Sequence, residues 1–567
     1  MPVNDATPRV PVTVEMVVAG TKMTVEIVSI ELKQHIDRHH DLEVRALLGG
    51  SENNNDFRDV SSFTKLLGED LSISLTPYGG GVDEAQKLEF VGVIVNVESI
   101  NGIDGLNQIV FHAASPTISL EGARRLRIYE NMKPSEIAAG VLRNYRISVG
   151  KTDTFGSNIE YLLQHNETDF EFVKRMASAN GAFSFYDGSE FRLVTKPVSS
   201  PAIELTWRKD LGWFSLGLGT QPMAYAAGTY DYRQVKTLSA DSDKPASALS
   251  GELARSPKAS ERVYNKSDKS FLLGLTHAAD QSTLTAGVKS ATNRAVGRMA
   301  KCSGGSEIPS LKVGHCVKVA KMGIFDGVYM IESVHHVVEE GGYSNTFTCI
   351  PVDMAYPTLI DHRASVDSLY LGKVTDVEDP DKLGRVKVAF EWQGQGMETV
   401  WARPAFPHAG PEWGWVTLPE IDDEVIVGFD RGNPEHPIIL GSLYNGKAVP
   451  PSEAVQKPTE VKLLYTKGGN KILLSDKSGA EQILLTTKDG QNTVLLTMDG
   501  PGITVESKGD ISIKGKAITL EADKNIEIKA GGDFKVQAQM NMETKAGMNY
   551  QAEGAMVKIK GNLINLN

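Results

Sequence analysis

The C-terminal stretch of this chain repeats every eight residues, and that period constrains the fold more than any other feature. Ala522, Ala530, Ala538, Ala546 and Gly554 recur at one phase, and Ile518, Ile526, Phe534, Met542 and Tyr550 at another. Between these points apolar and polar residues alternate, as in Ile526-Glu-Ile528 and Phe534-Lys-Val536, the period-two pattern of a strand with one buried face. Each unit therefore reads as a short strand followed by a tight corner at the small residue. Strands of this length are marginal alone, and one chain supplies only one side of each coil. Three chains wound together supply the missing sides. The pattern predicts that residues 503–567 are one third of an intertwined trimeric β-helix needle, with Ile511, Ile513, Ile518, Leu520, Ile526, Ile528, Phe534, Val536, Met542 and Tyr550 facing its interior.

The 567 residues are enough for several domains, and no apolar run approaches the length of a membrane-spanning helix. The N-terminal MPVNDATPRVPVTVEM lacks the basic start and apolar core of a secretory signal, so the expectation is synthesis and assembly in the cytoplasm. Cys302, Cys316 and Cys349 are an odd number and too few for a disulfide framework, and they read as reduced, buried thiols. The formal net charge of −12 argues against a basic nucleic-acid-binding surface.

The order of patterns predicts a mainly β protein. Short alternating strands, among them Val12–Val18, Lys22–Leu32, Leu71–Leu75 and Phe90–Val97, mark residues 1–115 as a first β-barrel, with Gly-rich turns such as Tyr78-Gly-Gly-Gly81 between them. Residues 116–197 are mixed. Lys133-Pro-Ser-Glu opens one helix with Pro134 in its first turn, and Asn166-Glu-Thr-Asp169 caps another whose Phe170, Val173 and Ala177 share a face. Residues 198–365 return to a second barrel, interrupted by a polar surface loop around Lys236–Ser260 and a helix near Leu284–Met299. In residues 366–448, strands are expected at Gly372–Asp376, Gly384–Phe390, Trp413–Leu418, Glu424–Phe429 and Pro437–Gly441, the five that a small oligonucleotide/oligosaccharide-binding (OB) barrel needs. Residues 449–502 read as a linker and the start of a stalk.

No motif points to catalysis, a cofactor or a metal. Val149-Gly-Lys-Thr152 lacks the first glycine of a phosphate loop, since Tyr145 occupies its place. His335 and His336 are adjacent in a strand pattern, so they point to opposite faces and cannot chelate one ion. Asp376, Glu378, Asp379 and Asp381 surround Pro380 and precede Gly384, which reads as a hairpin turn and not a calcium loop. Gly-x-Ser-x-Gly, His-Glu-x-x-His and Cys-x-x-Cys are all absent.

The string Gly410-Pro-Glu-Trp-Gly-Trp-Val, continued by Leu418-Pro-Glu-Ile-Asp-Asp-Glu-Val-Ile-Val-Gly-Phe429 and Gly432-Asn-Pro-Glu-His-Pro-Ile-Ile-Leu-Gly-Ser-Leu-Tyr-Asn445, resembles the barrel signature of the VgrG family. These are spike proteins of type VI secretion systems, phage-tail baseplates and extracellular contractile injection particles. Asn166-Glu-Thr-Asp-Phe-Glu-Phe-Val173 and Phe325-Asp-Gly-Val-Tyr-Met-Ile-Glu-Ser-Val-His335 are similar to motifs of the family's hub. One departure is Asp422, where the family usually has glycine.

The resemblance implies a homotrimeric puncturing spike without enzymatic activity. Two hub barrels per chain would make six around the axis and adapt a sixfold tail tube to a threefold needle. The implied partners are tail-tube and baseplate proteins, effector cargo, transiently the target membrane, and a conical PAAR-type tip protein seated on Leu563, Ile564, Leu566 and Asn567. The spike would be incorporated in an injection particle and expelled towards target cells. The interval from Asn445 to Lys471 is too short for an enzyme domain and the repeat runs to Asn567, so the expectation is a spike without an enzymatic extension. The last histidine is His436, which removes the imidazole that an iron-bearing tip would need. Two other readings compete: a receptor- or glycan-binding tail fibre, and a tail-associated glycan hydrolase, which would need a pair of carboxylates in a cleft.

Overall fold

The computed structural model describes residues 9–48, 65–78, 86–101, 107–242, 249, 251–265, 267–272, 280–359, 368–393 and 398–566. Two compact units emerge, Met1–Asn445 and Gly446–Asn567.

In the first unit, backbone pairing closes a ring. Val10–Val18 pairs with Asp70–Pro77, which pairs in turn with Leu88–Asn101, Asn107–Ala114, Asp41–Leu48 and Glu26–His35. Glu26–His35 then pairs with Gly327–Glu339, that strand with Gly342–Pro351, and the last returns to Val10–Val18. Alternation puts Leu71, Ile73, Leu75, Leu42, Val44, Phe90 and Phe111 inside, all at most 2% exposed.

The hairpin Gly327–Pro351 serves a second sheet at its other end. There Gly327–Glu339 pairs with His315–Ala320, which pairs with Val198–Thr206, while Gly342–Pro351 pairs with Ala300–Ser306 and through it with Leu211–Leu218. Register slips by one residue between Ile331 and Ser333, leaving Glu332 as a bulge. A bulge bends its strand and increases local twist, and here it lies where the hairpin passes from one sheet to the other. Leu205, Leu311, Val313, Val317, Ile331 and Phe347 form the second core. Two strands from residues 327–351 thus complete the ring built from residues 10–114.

Helices flank these sheets. Pro134–Leu142 begins with proline and a capping contact from Glu136 to the Lys133 N–H, 3.3 Å. Asp169–Ala179 is capped by Thr168, whose hydroxyl accepts from the Glu171 N–H at 3.2 Å, while Glu171 accepts from the Thr168 N–H at 3.0 Å. Asn166 instead sits at a bulge with φ 52, a left-handed position that asparagine tolerates. The polar segment expected to be a loop contains a strand, Lys236–Asp241, and a helix, Arg255–Val263. The strand pairs with Tyr225–Asp231, and Leu284 and Val288 of the Gln281–Gly297 helix pack with Ala227 and Ala240 from this strand pair. Serine and alanine are too common in loops to betray such a small sheet.

Residues 370–443 form a five-stranded sheet in the order Lys387–Phe390, Tyr370–Asp376, Glu424–Phe429, Pro437–Leu443 and Arg403–Pro404. Its core holds Val374, Val386, Val388, Val425, Val427 and Ile439, with Phe390 stacked on Trp392 at 4.8 Å. The fifth strand is not the expected Trp413–Leu418. Only Trp413–Gly414 is extended, in a two-residue pairing with Ala409–Gly410. Trp413, Trp415 and Val416 are all more than half exposed, so alternation there marks surface and not core.

Candidate assembly surface

Three near-identical triplets, Ile472-Leu-Leu474, Ile483-Leu-Leu485 and Val494-Leu-Leu496, build the stalk sheet. Their strands, Lys471–Ser475, Gln482–Thr486 and Asn492–Thr497, join Val461–Tyr465 and Gly502–Ser507 in an antiparallel meander. In each triplet the middle leucine takes one face and its neighbours the other. The register aligns Leu464, Ile472, Leu485, Val494 and Val505 in one row across the sheet. Leu474, Ile483, Leu496 and Ile503 form a second row on the same face. The opposite face has one leucine row, Leu463, Leu473, Leu484 and Leu495, flanked by polar residues such as Ser475, Gln482, Thr486 and Thr493.

Leu473 is buried at 5%, whereas Ile472, Leu474, Leu485, Ile503 and Val505 on the doubly apolar face are exposed. No described segment of the chain covers that face. An uncovered apolar surface of this kind marks an interface.

Beyond Ser507 the chain runs to Leu566 without hydrogen-bonded strands, with bends recurring along it, and its side chains are exposed throughout. All ten residues assigned to a needle interior, from Ile511 at 56% to Tyr550 at 73%, are exposed in the single chain, so the chain does not bury them by itself. Leu563, Ile564 and Leu566 at the proposed tip contact are exposed as well, and Asn567 lies outside the described residues.

The OB sheet is tied to the hub by side chains that the sequence did not single out. Tyr232, in the turn after Tyr225–Asp231, accepts a hydrogen bond from Arg385 Nη1 at 3.2 Å, and the Arg403 guanidinium lies 4.3 Å from the centre of its ring. Glu435 accepts from the Leu163 N–H at 3.2 Å, and Trp392 meets His165 edge-on at 5.4 Å. Arg385 is itself buried and paired with Asp379 and Asp381. Its guanidinium and nearby backbone N–H groups hold the Asp379 carboxyl well below the usual carboxylate range. The acidic cluster is therefore a turn closed around an arginine, with Asp376 accepting from the Glu378 N–H at 2.8 Å.

The remaining sequence motifs find structural roles. Val149–Thr152 is a short strand, with the Glu190 side chain packed over Gly150 and Lys151 paired to Asp153. His335 lies 3.6 Å from Glu31 on the outer face, while His336 is fully buried between Tyr343 Oη at 2.8 Å and Gln34 Oε1 at 3.2 Å. Gln34 continues the chain to His40 Nδ1 at 3.3 Å. Burial pushes both His40 and His336 down to about 3, so both rings are neutral at physiological pH. Among the described residues no helix is long and apolar enough to cross a membrane, and no His, Cys, Asp and Glu side chains cluster as a metal site.

Residues 8–340 match the Alg8 N-terminal domain family, and residues 370–444 match the type VI secretion system/phage-baseplate injector OB domain. The chain belongs to the Alg8 N-terminal domain family and is similar to VgrG-type spike proteins. Among curated relatives, the type VI secretion system spike protein VgrG5 of Pseudomonas aeruginosa is 25% identical over 59% of this chain and 47% of its own length. VgrG1a of the same organism is 23% identical over 73% of this chain and 69% of its own length. The chain spans about half the length of four of the curated relatives it matches. Among solved structures, the E. coli c3393 protein, a type VI secretion component described as similar to the T4 tail proteins gp27 and gp5, aligns with TM-score 0.50 at 16% identity. That alignment covers 76% of this chain and 99% of the other. A chain of the half-lidded Francisella PdpA-VgrG complex aligns with TM-score 0.57 at 10% identity, covering 88% of each. At these identities the likeness is one of fold alone.

Proposed function

We propose that three copies of this chain form the hub and puncturing spike at the front of a contractile injection machine. The observation that carries this reading is the doubly apolar face of the stalk sheet, continuous in sequence with an eight-residue repeat that is exposed in one chain. Burying apolar surface contributes about 25 cal/mol per Å², and three copies facing a common axis would remove nine apolar side chains each from water. In a wound needle each chain would pair its backbone with its neighbours, so fraying would require separating chains, and a stiff rod follows.

On this reading the two hub sheets of each chain, six in all, would match a sixfold tail tube. The exposed Leu563, Ile564 and Leu566 would seat a conical PAAR-type protein that carries the point and effectors. The role is mechanical and not catalytic, with assembly in the producing cell and delivery towards a target envelope. Light scattering on purified full-length protein tests the core of the proposal. The expected mass is three times 61.5 kDa; a stable folded monomer would overturn it.

A further inference from the structure

Cys302 and Cys349 are direct register partners on the antiparallel strands Ala300–Ser306 and Gly342–Pro351. Both thiols are free and buried, at 4% and 1% exposure, and they lie in hydrogen-bond contact with each other. Opposed residues of an antiparallel pair place their Cα atoms about 4.5–5.5 Å apart, inside the range of about 4.4–6.8 Å that a disulfide spans. Cys316, by contrast, has Met330 as its register partner.

We propose that Cys302 and Cys349 form a dithiol built to close into a cross-strand disulfide when the protein meets an organic disulfide oxidant. In the first step one cysteine thiolate attacks a sulfur of RSSR, forming a mixed disulfide and releasing one RS⁻. The second cysteine thiolate then displaces the other RS⁻. Two cysteine thiols and one RSSR give one protein disulfide and two RSH, and no further reactant is needed. Burial raises the Cys349 thiol well above its ordinary value, so the reduced pair is inert while its strands stay closed, and exchange proceeds through local opening. The bond would join Ala300–Ser306 to the hairpin shared by both hub sheets, and closing so long a loop restricts the unfolded chain.

The test uses the full-length protein in a glutathione redox buffer, with denaturant just below the unfolding transition, until its thiol content stops changing. Free thiols are then alkylated and the peptides mapped by mass spectrometry. The expected result is a Cys302–Cys349 disulfide with Cys316 alkylated, together with a denaturation midpoint higher than that of the reduced protein. Cys316→Ala should keep the bond and Cys302→Ala should lose it; mapping of the unsubstituted protein decides the matter even if a variant fails to fold. Three alkylated thiols, a bond to Cys316, or a glutathione adduct stable at either position would each overturn the proposal.

Discussion

Asp422 occupies a backbone position with φ 77, a region that costs glycine nothing and that aspartate visits more readily than most residues. That accounts for glycine at this place in the family resemblance. Its substitution leaves the turn intact, with the Asp422 N–H donating to the Val374 carbonyl at 2.9 Å and its carboxylate paired to Lys373. The opposite facing of His335 and His336 was readable from strand alternation alone. The network around His336 was not, because Gln34 and His40 lie some 300 positions away in sequence. This network carries a pH prediction. His40 and His336 bind protons in the unfolded chain near the ordinary value of 6.5 but only at about 3 when folded. The unfolded state therefore holds more protons between those limits. Stability from these groups is complete above about 6.5 and is lost as pH falls towards about 3. Thermal unfolding of the hub followed across that window should show the decline, and His336→Gln should flatten it; a stability independent of acid would contradict the assignment.

The stalk strands show what local pattern can and cannot say about elements. The Ile-Leu-Leu and Val-Leu-Leu triplets stand out in the sequence ahead of the eight-residue repeat, yet a triplet of apolar residues does not reveal which neighbour it takes. Only the register of the meander exposes the two-row apolar face. Neighbouring residues on the last strand test that face, since Val505 lies on it and Thr504 on the other side. Val505→Lys should bury a charge in the proposed trimer core, at about several kcal/mol per chain, and shift the light-scattering mass towards monomer. Thr504→Lys should leave the mass unchanged. Equal effects would mean that the wrong face has been assigned. In the OB sheet, Trp413–Leu418 misled for the converse reason, because an exposed apolar run imitates the alternation of a buried one.

At the scale of the whole molecule, the mainly β architecture and the OB signature were legible because turns, alternation and a specific string of residues agree along the chain. The sharing of one hairpin by two sheets was not, since it depends on pairings between Glu26–His35 and a strand hundreds of residues later. The proposed trimer would bring three copies of the exposed Leu563, Ile564 and Leu566 together as the proposed seat of a tip protein. Deleting residues 562–567 should abolish co-purification of a PAAR-type tip protein while the trimer mass falls only by the deleted residues; retention of the partner would place its seat elsewhere.

The shared hairpin also limits how the protein can be dismantled. A fragment ending anywhere before Gly327 would leave the first ring two staves short, with open edges at Val10–Val18 and Glu26–His35. Such a fragment is an adhesive open trough of six strands and not a smaller barrel. The ring and the second sheet hold these two strands in common, so neither can be shed or exchanged without taking staves from the other.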